Sequence, residues 1–339
     1  LEESHGNHEK AEKVMMMGIK KLKSQGVTFG RDKWLMEANT CERESGLPIT
    51  ACSIIKGTLY VDIDDTIKDA NKRKIWTNEA NECMNNGCYE CGRAIHEHLV
   101  QLYSKRRDVW LNFISYEREV IPPITLTSLV SSSSSSSSTT TTTTSSTAVT
   151  TTTTPTPPTN GMISTSNTIN ARVGQLMRRA VDARPTDVLL WLMAAKEAWK
   201  VCQDVDSARS LLEEAFQNNP NNEELLLAGS KIEKEEGEYN RARILLSRAR
   251  NETPSVRVMI KSITIERLDG CLVDAMNLLN EGRKLYIKSD KIWIMSIQTQ
   301  IDYYNQIRNN NNATDDNNNL NFVPMSIRNL CNESLIHCP

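Results

Sequence analysis

Apolar side chains recur along this chain at two spacings, one typical of a single helix and one typical of helix pairs. The i, i+3, i+4, i+7, i+8 spacing of one helical face is followed by Ala208, Leu211, Leu212, Ala215 and Phe216. A bulky apolar residue also recurs about every 34 residues, and small residues recur at the same period. The pattern therefore predicts pairs of helices, A and B, repeated in tandem.

Each predicted helix A has one bulky anchor, and each helix B has small residues where helix axes approach closely. The anchors are Trp34, Trp76, Trp110, Trp191, Leu226, Met259 and Trp293. The small residues are Gly92, Ala208, Ala215, Ala242, Ala249, Ala275 and Gly282. Pro185, Pro220 and Pro254 fall between the units, because proline cannot continue a helix. We interpret the anchors and small residues as packing positions of a helical core.

A period of this length, built from two helices, is typical of tetratricopeptide-like solenoids. One such hairpin cannot bury its own apolar face, so each must stack on its neighbours. The sequence predicts an all-α fold, a right-handed superhelical solenoid of about seven antiparallel helix pairs. Residues 1–24 are expected to form a lone helix B, and the chain, which begins at Leu1, is expected to be a fragment of a longer protein.

Two polar tracts interrupt the repeats at the same point, the turn between helix A and helix B. Residues 121–167 contain serine and threonine runs with several prolines, and residues 309–322 are rich in asparagine. The first tract cannot bury enough apolar surface to offset the entropy of ordering, so we predict that it is disordered. The remaining chain is predicted to form repeats in 1–120 and 168–308 and a last repeat helix in 323–339.

Composition limits the classes of partner. The net charge is −2 over 339 residues, which argues against a large phosphate-binding surface. The short basic clusters at 105–107 and 178–179 are interpreted as solvated helix ends. Nine cysteines without the spacing of a disulfide scaffold indicate a reducing compartment. No apolar run approaches the roughly 18 residues that a membrane helix needs.

One acidic motif matches a catalytic loop. Asp62, Asp64 and Thr66 fit the D-x-D-x-T nucleophile loop of haloacid-dehalogenase-type phosphatases. In that loop the first aspartate attacks phosphorus and magnesium screens the charge. The flanking sequence has the helical repeat pattern, and an acidic linker that caps the next helix accounts for the same residues. The magnesium-dependent phosphatase is therefore kept as an alternative.

A second group has the residue types of a zinc site: Cys83, Cys88, Cys91 and His96, with His98 nearby. Three cysteines and one histidine can close a tetrahedral site. In the repeat register, however, Cys83 lies on the inner face of a helix A and Cys91 lies at the start of a helix B. A free cysteine there packs as a small apolar residue. We therefore predict no metal and no cofactor.

Further signals come from charged positions. Glu117, Glu233 and Glu266 follow their anchors by seven residues and are expected to bond a neighbouring helix end. This glutamate, with Ala-Arg at the start of helix B, resembles the half-a-tetratricopeptide repeat of RNA-processing proteins. The segments 31–35, 188–196, 208–212, 238–243 and 257–262 more specifically resemble the pre-mRNA-processing factor six family. We expect the likeness to cover almost the whole chain outside the two polar tracts.

The resemblance implies a nuclear scaffold of the spliceosome. Family members bridge the U5 particle to the U4/U6 particle in the U4/U6·U5 tri-snRNP, mainly by protein–protein contacts along the repeat array. The implied partners are snRNP proteins, and contact with RNA is expected to be secondary. The resemblance implies no active site, no membrane and no small-molecule substrate. A scaffold of another RNA-processing complex, such as mRNA 3′-end cleavage and polyadenylation, is the alternative. The chain departs from the family in its two inserts and in Leu226 and Met259, which replace aromatic anchors.

Overall fold

The computed structural model describes residues 8–26, 29–63, 66–120, 164–311 and 325–337. These residues form fifteen α-helices and no β-strand, so the all-α prediction is confirmed. The chain divides into two compact units, Leu1–Arg184 (unit 1) and Pro185–Pro339 (unit 2). Most of the two predicted polar inserts lies outside the described residues. No described helix combines the length and the apolar composition needed to cross a membrane.

The described part of unit 1 is built from paired helices. They are α1 (His8–Ser24), α2 (Arg31–Arg43), α3 (Pro48–Thr58), α4 (Asp69–Asn85), α5 (Tyr89–Leu102), α6 (Arg107–Glu119) and α7 (Ser164–Ala183). The pairs are α2 with α3, α4 with α5, and α6 with α7, while α1 packs on α3. Gly57 allows this last contact, since a Cβ there would lie 2.7 Å from Ile19 Cδ1.

Unit 2 continues the same plan. Its helices are α8 (Val188–Lys196), which runs into a short π-helix (Glu197–Val201), α9 (Val205–Asn218), α10 (Glu223–Glu235), α11 (Tyr239–Glu252), α12 (Val256–Leu268), α13 (Leu272–Leu285), α14 (Asp290–Asn311) and α15 (Met325–His337). Successive helices pair, from α8 with α9 to α14 with α15, and each pair packs on the next. The described residues of the two units together hold seven helix pairs.

Glycine-centred turns join helix A to helix B in two consecutive pairs of unit 2. Gly237 and Gly270 both have a φ of +78°, a backbone conformation that residues with a Cβ rarely adopt. The next N–H, from Glu238, donates a hydrogen bond of 2.8 Å to the carbonyl of Glu233. This is a Schellman termination, which satisfies the last carbonyls of helix A while reversing the chain. The pairs therefore need only very short connections.

Polar side chains begin several helices of unit 2. Asp204, Asn222 and Ser255 each accept a hydrogen bond from the backbone N–H three residues later, at 2.9, 3.2 and 3.2 Å. The first turn of a helix has N–H groups without a helical acceptor, and these side chains satisfy one of them. They set the starts of α9, α10 and α12, and hence the phase of the residues that face the core.

Candidate protein-interaction surface

The side chains predicted as anchors lie inside their units. At most 9% of the surface is exposed for Trp34, Trp76, Trp110, Trp191, Leu226, Met259 and Trp293. Three of them make the same type of hydrogen bond. The Nε1–H groups of Trp110, Trp191 and Trp293 each donate to the carbonyl six residues earlier, at 2.7, 2.8 and 2.8 Å. That carbonyl belongs to the turn before helix A. The indole therefore links the turn between two pairs to the core.

The residues predicted as small lie where helices approach closely. Full burial is found for Ala208, Ala215, Ala242, Ala249 and Ala275. At Gly92 a Cβ would lie only 2.1 Å from Tyr116 Oη, which is a clash. At Gly282 it would lie 3.1 Å from Met259 Cγ, a tighter contact than most side chains make. Glycine at these two positions lets a neighbouring helix place a large side chain against bare backbone.

The three glutamates that follow the anchors form equivalent ion pairs. The pairs are Arg93–Glu117, Arg209–Glu233 and Arg243–Glu266. Each arginine is the fifth residue of the preceding helix B, so every pair joins two successive helix pairs. We expected these glutamates to bond a helix end, and they bond an arginine side chain instead. The arginines 23 or 24 residues before the glutamates were the signal that sequence reasoning missed.

These ion pairs are largely shielded from water. The glutamate side chains are 6, 8 and 11% exposed, and the arginine side chains are 15, 28 and 27% exposed. A charge removed from water is destabilising unless a partner of opposite sign compensates it. The glutamates supply that partner and, despite desolvation, raise the pKa of the Arg93, Arg209 and Arg243 guanidinium groups. Each arginine also contacts a second carboxylate, and these are Glu90, Asp206 and Asp269 respectively.

A cleft opens over one of these ion pairs in each unit. The unit 1 cleft, of about 440 Å³, lies among α3, α5, α6 and α7, and the unit 2 cleft, of about 240 Å³, lies among α9, α10 and α11. Both clefts occupy the same place in the repeat, between successive B helices and above the intervening helix A. Five lining positions are equivalent in the two clefts. Given with the unit 1 residue first and the unit 2 residue second, they are Arg93 and Arg209, Phe113 and Gly229, Glu117 and Glu233, Arg172 and Arg241, and Leu176 and Leu245.

The aspartate that opens the phosphatase-like motif serves as a helix cap. Asp62 Oδ2 accepts a hydrogen bond of 3.0 Å from the N–H of Arg31, the first residue of α2. Residues 59–63 follow α3 as a turn, where a phosphatase loop would follow a strand. Asp64 lies outside the described residues. We expected this linker to cap the next helix, but Asp62 caps an earlier one, because the turn after α3 folds back toward α2.

The cysteines of the zinc-like group are core residues. Cys83, Cys88 and Cys91 are fully buried. Burial is the main cause of the raised pKa of the Cys83 and Cys91 thiols, which disfavours the thiolate that binds zinc. The Glu42 carboxylate accepts hydrogen bonds from the N–H groups of Glu90 and Cys91, at 2.7 and 2.8 Å. Glu42, the acidic residue beside these cysteines, therefore caps the start of α5.

The two histidines of the same group lie against aromatic rings. The His96 ring stacks on Phe113, with centroids 5.2 Å apart, and lies 4.8 Å from the ring of Tyr116. Burial lowers the pKa of His96 to about 4, so the imidazole is neutral at physiological pH. The His98 ring meets the ring of Trp76 edge-on at 5.2 Å. Both rings act as parts of the packing.

Potential metal ligands do come together elsewhere in the described part of the chain. Ligand atoms of Glu266, Cys271 and Asp274 lie within 4.8 Å of one another. Glu266 is already committed to the ion pair with Arg243, and Arg243 Nη2 also reaches Cys271 Sγ at 3.6 Å. The arginine occupies the position that a cation would take.

Some arginines of the two basic clusters are paired with carboxylates. Three of their arginines form ion pairs: Arg106–Asp108, Arg178–Asp182 and Arg179–Glu97. The N···O distances are 3.2, 3.1 and 2.6 Å. Arginines already paired with carboxylates offer less charge to a phosphate backbone, which weakens the case for these clusters as an RNA surface.

Solved structures similar to this chain include tetratricopeptide repeat proteins. TTC0263 of Thermus thermophilus is 10% identical, with 68% of this chain and 99% of that chain covered, at a TM-score of 0.35. A tetratricopeptide repeat protein of Parabacteroides merdae is also 10% identical, with 89% and 97% covered, at a TM-score of 0.35. At such low scores, the helix pairing described above is what defines the fold.

Sequence comparison is more specific. The chain is 33% identical over 116 residues to pre-mRNA-splicing factor prp1 of Schizosaccharomyces pombe, which covers 34% of this chain and 12% of that protein. It is 29% identical over 109 residues to Pre-mRNA-processing factor 6 of Homo sapiens, covering 32% and 11%. It is 35% identical over 65 residues to Protein STABILIZED1 of Arabidopsis thaliana, covering 19% and 6%. No family model matches the chain.

These alignments define the extent of the relationship. They span 12% or less of each relative's length. We expected a likeness over almost the whole chain outside the inserts, whereas the matched residues amount to 34% of it in the Schizosaccharomyces pombe alignment. The resemblance to the pre-mRNA-processing factor 6 family is confirmed over about a third of this chain.

Proposed function

We propose that this chain is a non-enzymatic scaffold in pre-mRNA splicing, which holds other proteins on the surface of its helix pairs. The similarity of about a third of the chain to prp1 and to Pre-mRNA-processing factor 6 carries this proposal. Tandem helix pairs support it, because a solenoid exposes an extended surface that suits several protein partners. The phosphatase and zinc alternatives gain no support from the packing roles of Asp62 and the buried cysteines.

In finer detail, we propose that the chain works in the nucleus and contributes to bridging proteins of the U5 and U4/U6 particles in the tri-snRNP. The family resemblance and the matched relatives support this assignment. The net charge of −2 and the paired arginines favour protein partners over RNA. Because the matches cover 12% or less of the relatives, we assign this chain one part of the binding surface.

Under the same proposal, the anchors and small residues have a structural role. They keep each helix pair against the next, so that surface residues stay in a constant arrangement. The proposed organisation is helix-pair repeats in 1–120 and 168–308, polar inserts in 121–167 and 309–322, and a last repeat helix in 323–339. The inserts extend turns between helices A and B, where longer loops add little closure entropy.

Affinity purification from nuclear extract tests the splicing role. A tagged form of the chain is used as bait, and the small nuclear RNAs and proteins of the eluate are sequenced and identified. We expect enrichment of U4, U5 and U6 RNAs over U1 and U2, which act as internal controls. A nuclease-treated arm should retain the protein partners if the contacts are between proteins. Recovery of cleavage and polyadenylation factors without these RNAs would favour the alternative complex.

A magnesium-dependent phosphatase assay tests the enzyme alternative. The wild-type chain and Asp62→Asn are compared on a general phosphomonoester substrate. We expect equal, background-level rates, because the Asp62 carboxylate caps α2. A wild-type rate well above background that disappears in Asp62→Asn would contradict the scaffold proposal.

A further inference from the structure

The unit 2 cleft has an apolar lining with a solvent-facing wall. Leu212 and Ile232 form its buried floor, while Phe216, Ile244 and Leu245 line its sides. Ile244 is 70% exposed, although it is a large aliphatic residue beside other apolar side chains. An apolar cleft of this size offers room for one large apolar side chain of a partner protein.

Gly229 leaves room beside Leu245 and Phe216. It lies three residues after the Leu226 anchor, where other helices A carry larger side chains, among them Phe113, Ala194 and Ser262. A Cβ at Gly229 would lie 3.1 Å from Leu245 Cδ1 and 3.4 Å from Phe216 Cζ. A side chain at this position would press against Leu245 and Phe216, which line the cleft.

One positive charge at the rim is unmatched. Arg209 pairs with Glu233 in the floor of the cleft and with Asp206, which does not line it. Arg241, which is exposed, forms no ion pair among the residues that the structure describes. The cleft therefore presents an apolar wall with a free cation beside it.

This combination is particular to the unit 2 cleft among the three repeats with the arginine–glutamate pair. The unit 1 cleft keeps an exposed arginine, Arg172, but has Gln175 in place of Ile244. The next repeat of unit 2 has Asp274 in place of Arg241 and Asn277 in place of Ile244. The apolar wall and the free cation occur together only at the unit 2 cleft, so a selective partner would bind there.

We propose that the unit 2 cleft binds a short acidic segment of a partner protein. A large apolar side chain of that segment lies between Phe216 and Ile244, and a neighbouring carboxylate pairs with Arg241. Charge complementarity selects an acidic segment over a basic one, because Arg241 has no other counter-charge and a basic side chain would repel it. The inference rests on the proposed function only in taking the partner to be a protein.

Selection from displayed random twelve-residue peptides tests this inference on the purified chain. We expect enriched peptides to carry aspartate or glutamate within a helical turn of leucine, phenylalanine or tryptophan. Binding of a synthetic enriched peptide is then measured by fluorescence anisotropy. Arg241→Glu and Ile244→Asp should each weaken binding about tenfold, because one reverses the charge and the other removes the apolar wall. Higher salt should weaken binding as well.

Matched variants separate binding from folding. Arg257 is 68% exposed on α12 and does not line the cleft, so Arg257→Glu should change the peptide affinity less than about twofold. Gly229→Phe places a ring where a Cβ alone would lie 3.1 Å from Leu245 Cδ1, and it should narrow the cleft. Since it can also disturb packing, the surface change Ile244→Asp, checked by circular dichroism, is the decisive variant.

Several outcomes would overturn the inference. These are failure to enrich any binding peptide, enrichment of peptides without acidic residues, and affinity that neither Arg241→Glu nor Ile244→Asp changes. Displacement of the peptide by a uridine oligonucleotide, with loss of RNA binding in Arg241→Glu, would reassign the cleft to RNA. Because the selection uses no nuclear extract, its result is independent of whether the purification recovers the U4, U5 and U6 RNAs.

Discussion

The guanidinium of Arg209 donates hydrogen bonds to both carboxylate oxygens of Glu233, at 2.9 Å from Nε and 2.8 Å from Nη2. Arg209 belongs to α9 and Glu233 to α10, so this bidentate contact joins one helix pair to the next. Two parallel bonds fix the relative orientation of the two side chains as well as their separation. The contact therefore sets how one helix lies on its neighbour.

In two other repeats, both positions of this ion pair hold uncharged residues. The repeat with Cys83 at the glutamate position has Cys52 at the arginine position, and the repeat with Gln300 has Met276. Neither of these two junctions leaves one charge of the pair without the other. This matches the energetics, because a single buried charge is far more destabilising than two uncharged side chains.

Removing one charge of the pair should destabilise unit 2. Glu233→Gln leaves Arg209, whose side chain is 28% exposed, with only the 93% exposed Asp206 as a counter-charge, and we expect the free energy of unfolding to fall by about 2 kcal/mol. Chemical denaturation of a double-mutant cycle with Arg209→Gln measures the coupling. Lys200 and Glu235, which are 48 and 34% exposed, form the matched control and should couple by less than about 1 kcal/mol. Equal coupling in both cycles would contradict a structural role for Glu233.

Two helical glycines of unit 1 should respond in opposite directions to alanine. Gly92→Ala places a Cβ 2.1 Å from Tyr116 Oη, and the forced shift should destabilise the chain by about 1–3 kcal/mol. Gly174→Ala meets nothing within 4 Å and should be neutral or stabilising by up to about 1 kcal/mol, through helix propensity. Thermal unfolding followed by circular dichroism compares the two. Similar melting temperatures would mean that Gly92 is not a point of close contact.

The anchors should tolerate loss of a hydrogen bond better than loss of volume. Trp191 is 2% exposed, so Trp191→Ala should lower the free energy of unfolding by roughly 3–5 kcal/mol. Trp191→Phe keeps most of the apolar surface but loses the 2.8 Å bond to the carbonyl of Pro185, and its effect should be smaller. Denaturant titration of both variants compares the contribution of the buried volume with that of the hydrogen bond. A loss below about 1 kcal/mol for Trp191→Ala would place the side chain outside the core.

Unit 1 should lose stability in mild acid. Burial lowers the pKa of His96 to about 4, while an unfolded histidine titrates near 6.5. Between these values the unfolded chain binds the extra proton, so stability is complete above about pH 6.5 and falls as the pH drops toward 4. At pH 5 the loss is on the order of 2 kcal/mol.

His96→Phe is the variant that isolates this effect. It keeps an aromatic ring beside Phe113 and Tyr116 but removes the titrating group. Denaturation midpoints at pH 7 and pH 5 should differ less in His96→Phe than in the wild-type chain. An equal pH dependence in the two proteins would show that His96 does not control the acid sensitivity of the fold.

Periodicity alone was sufficient for the secondary structure and for the pairing of helices. A spacing of about 34 residues between bulky positions implies two helices per unit, and helical geometry then determines which side of each helix faces the core. This is why the all-α fold and the tandem helix pairs could be predicted. The glutamates seven residues after the anchors were also visible in the pattern, but their partners were not.

Contacts between helices needed the tertiary structure. The pairing of Glu233 with Arg209, the cap that Asp62 provides to α2 and the cleft over Gly229 all depend on how far one helix is shifted along its neighbour. That shift depends on the fit of side chains across the interface, where many ridge and groove alignments have similar periodicity. A repeating pattern shows which residues face inward, whereas only the packed helices show which residues meet.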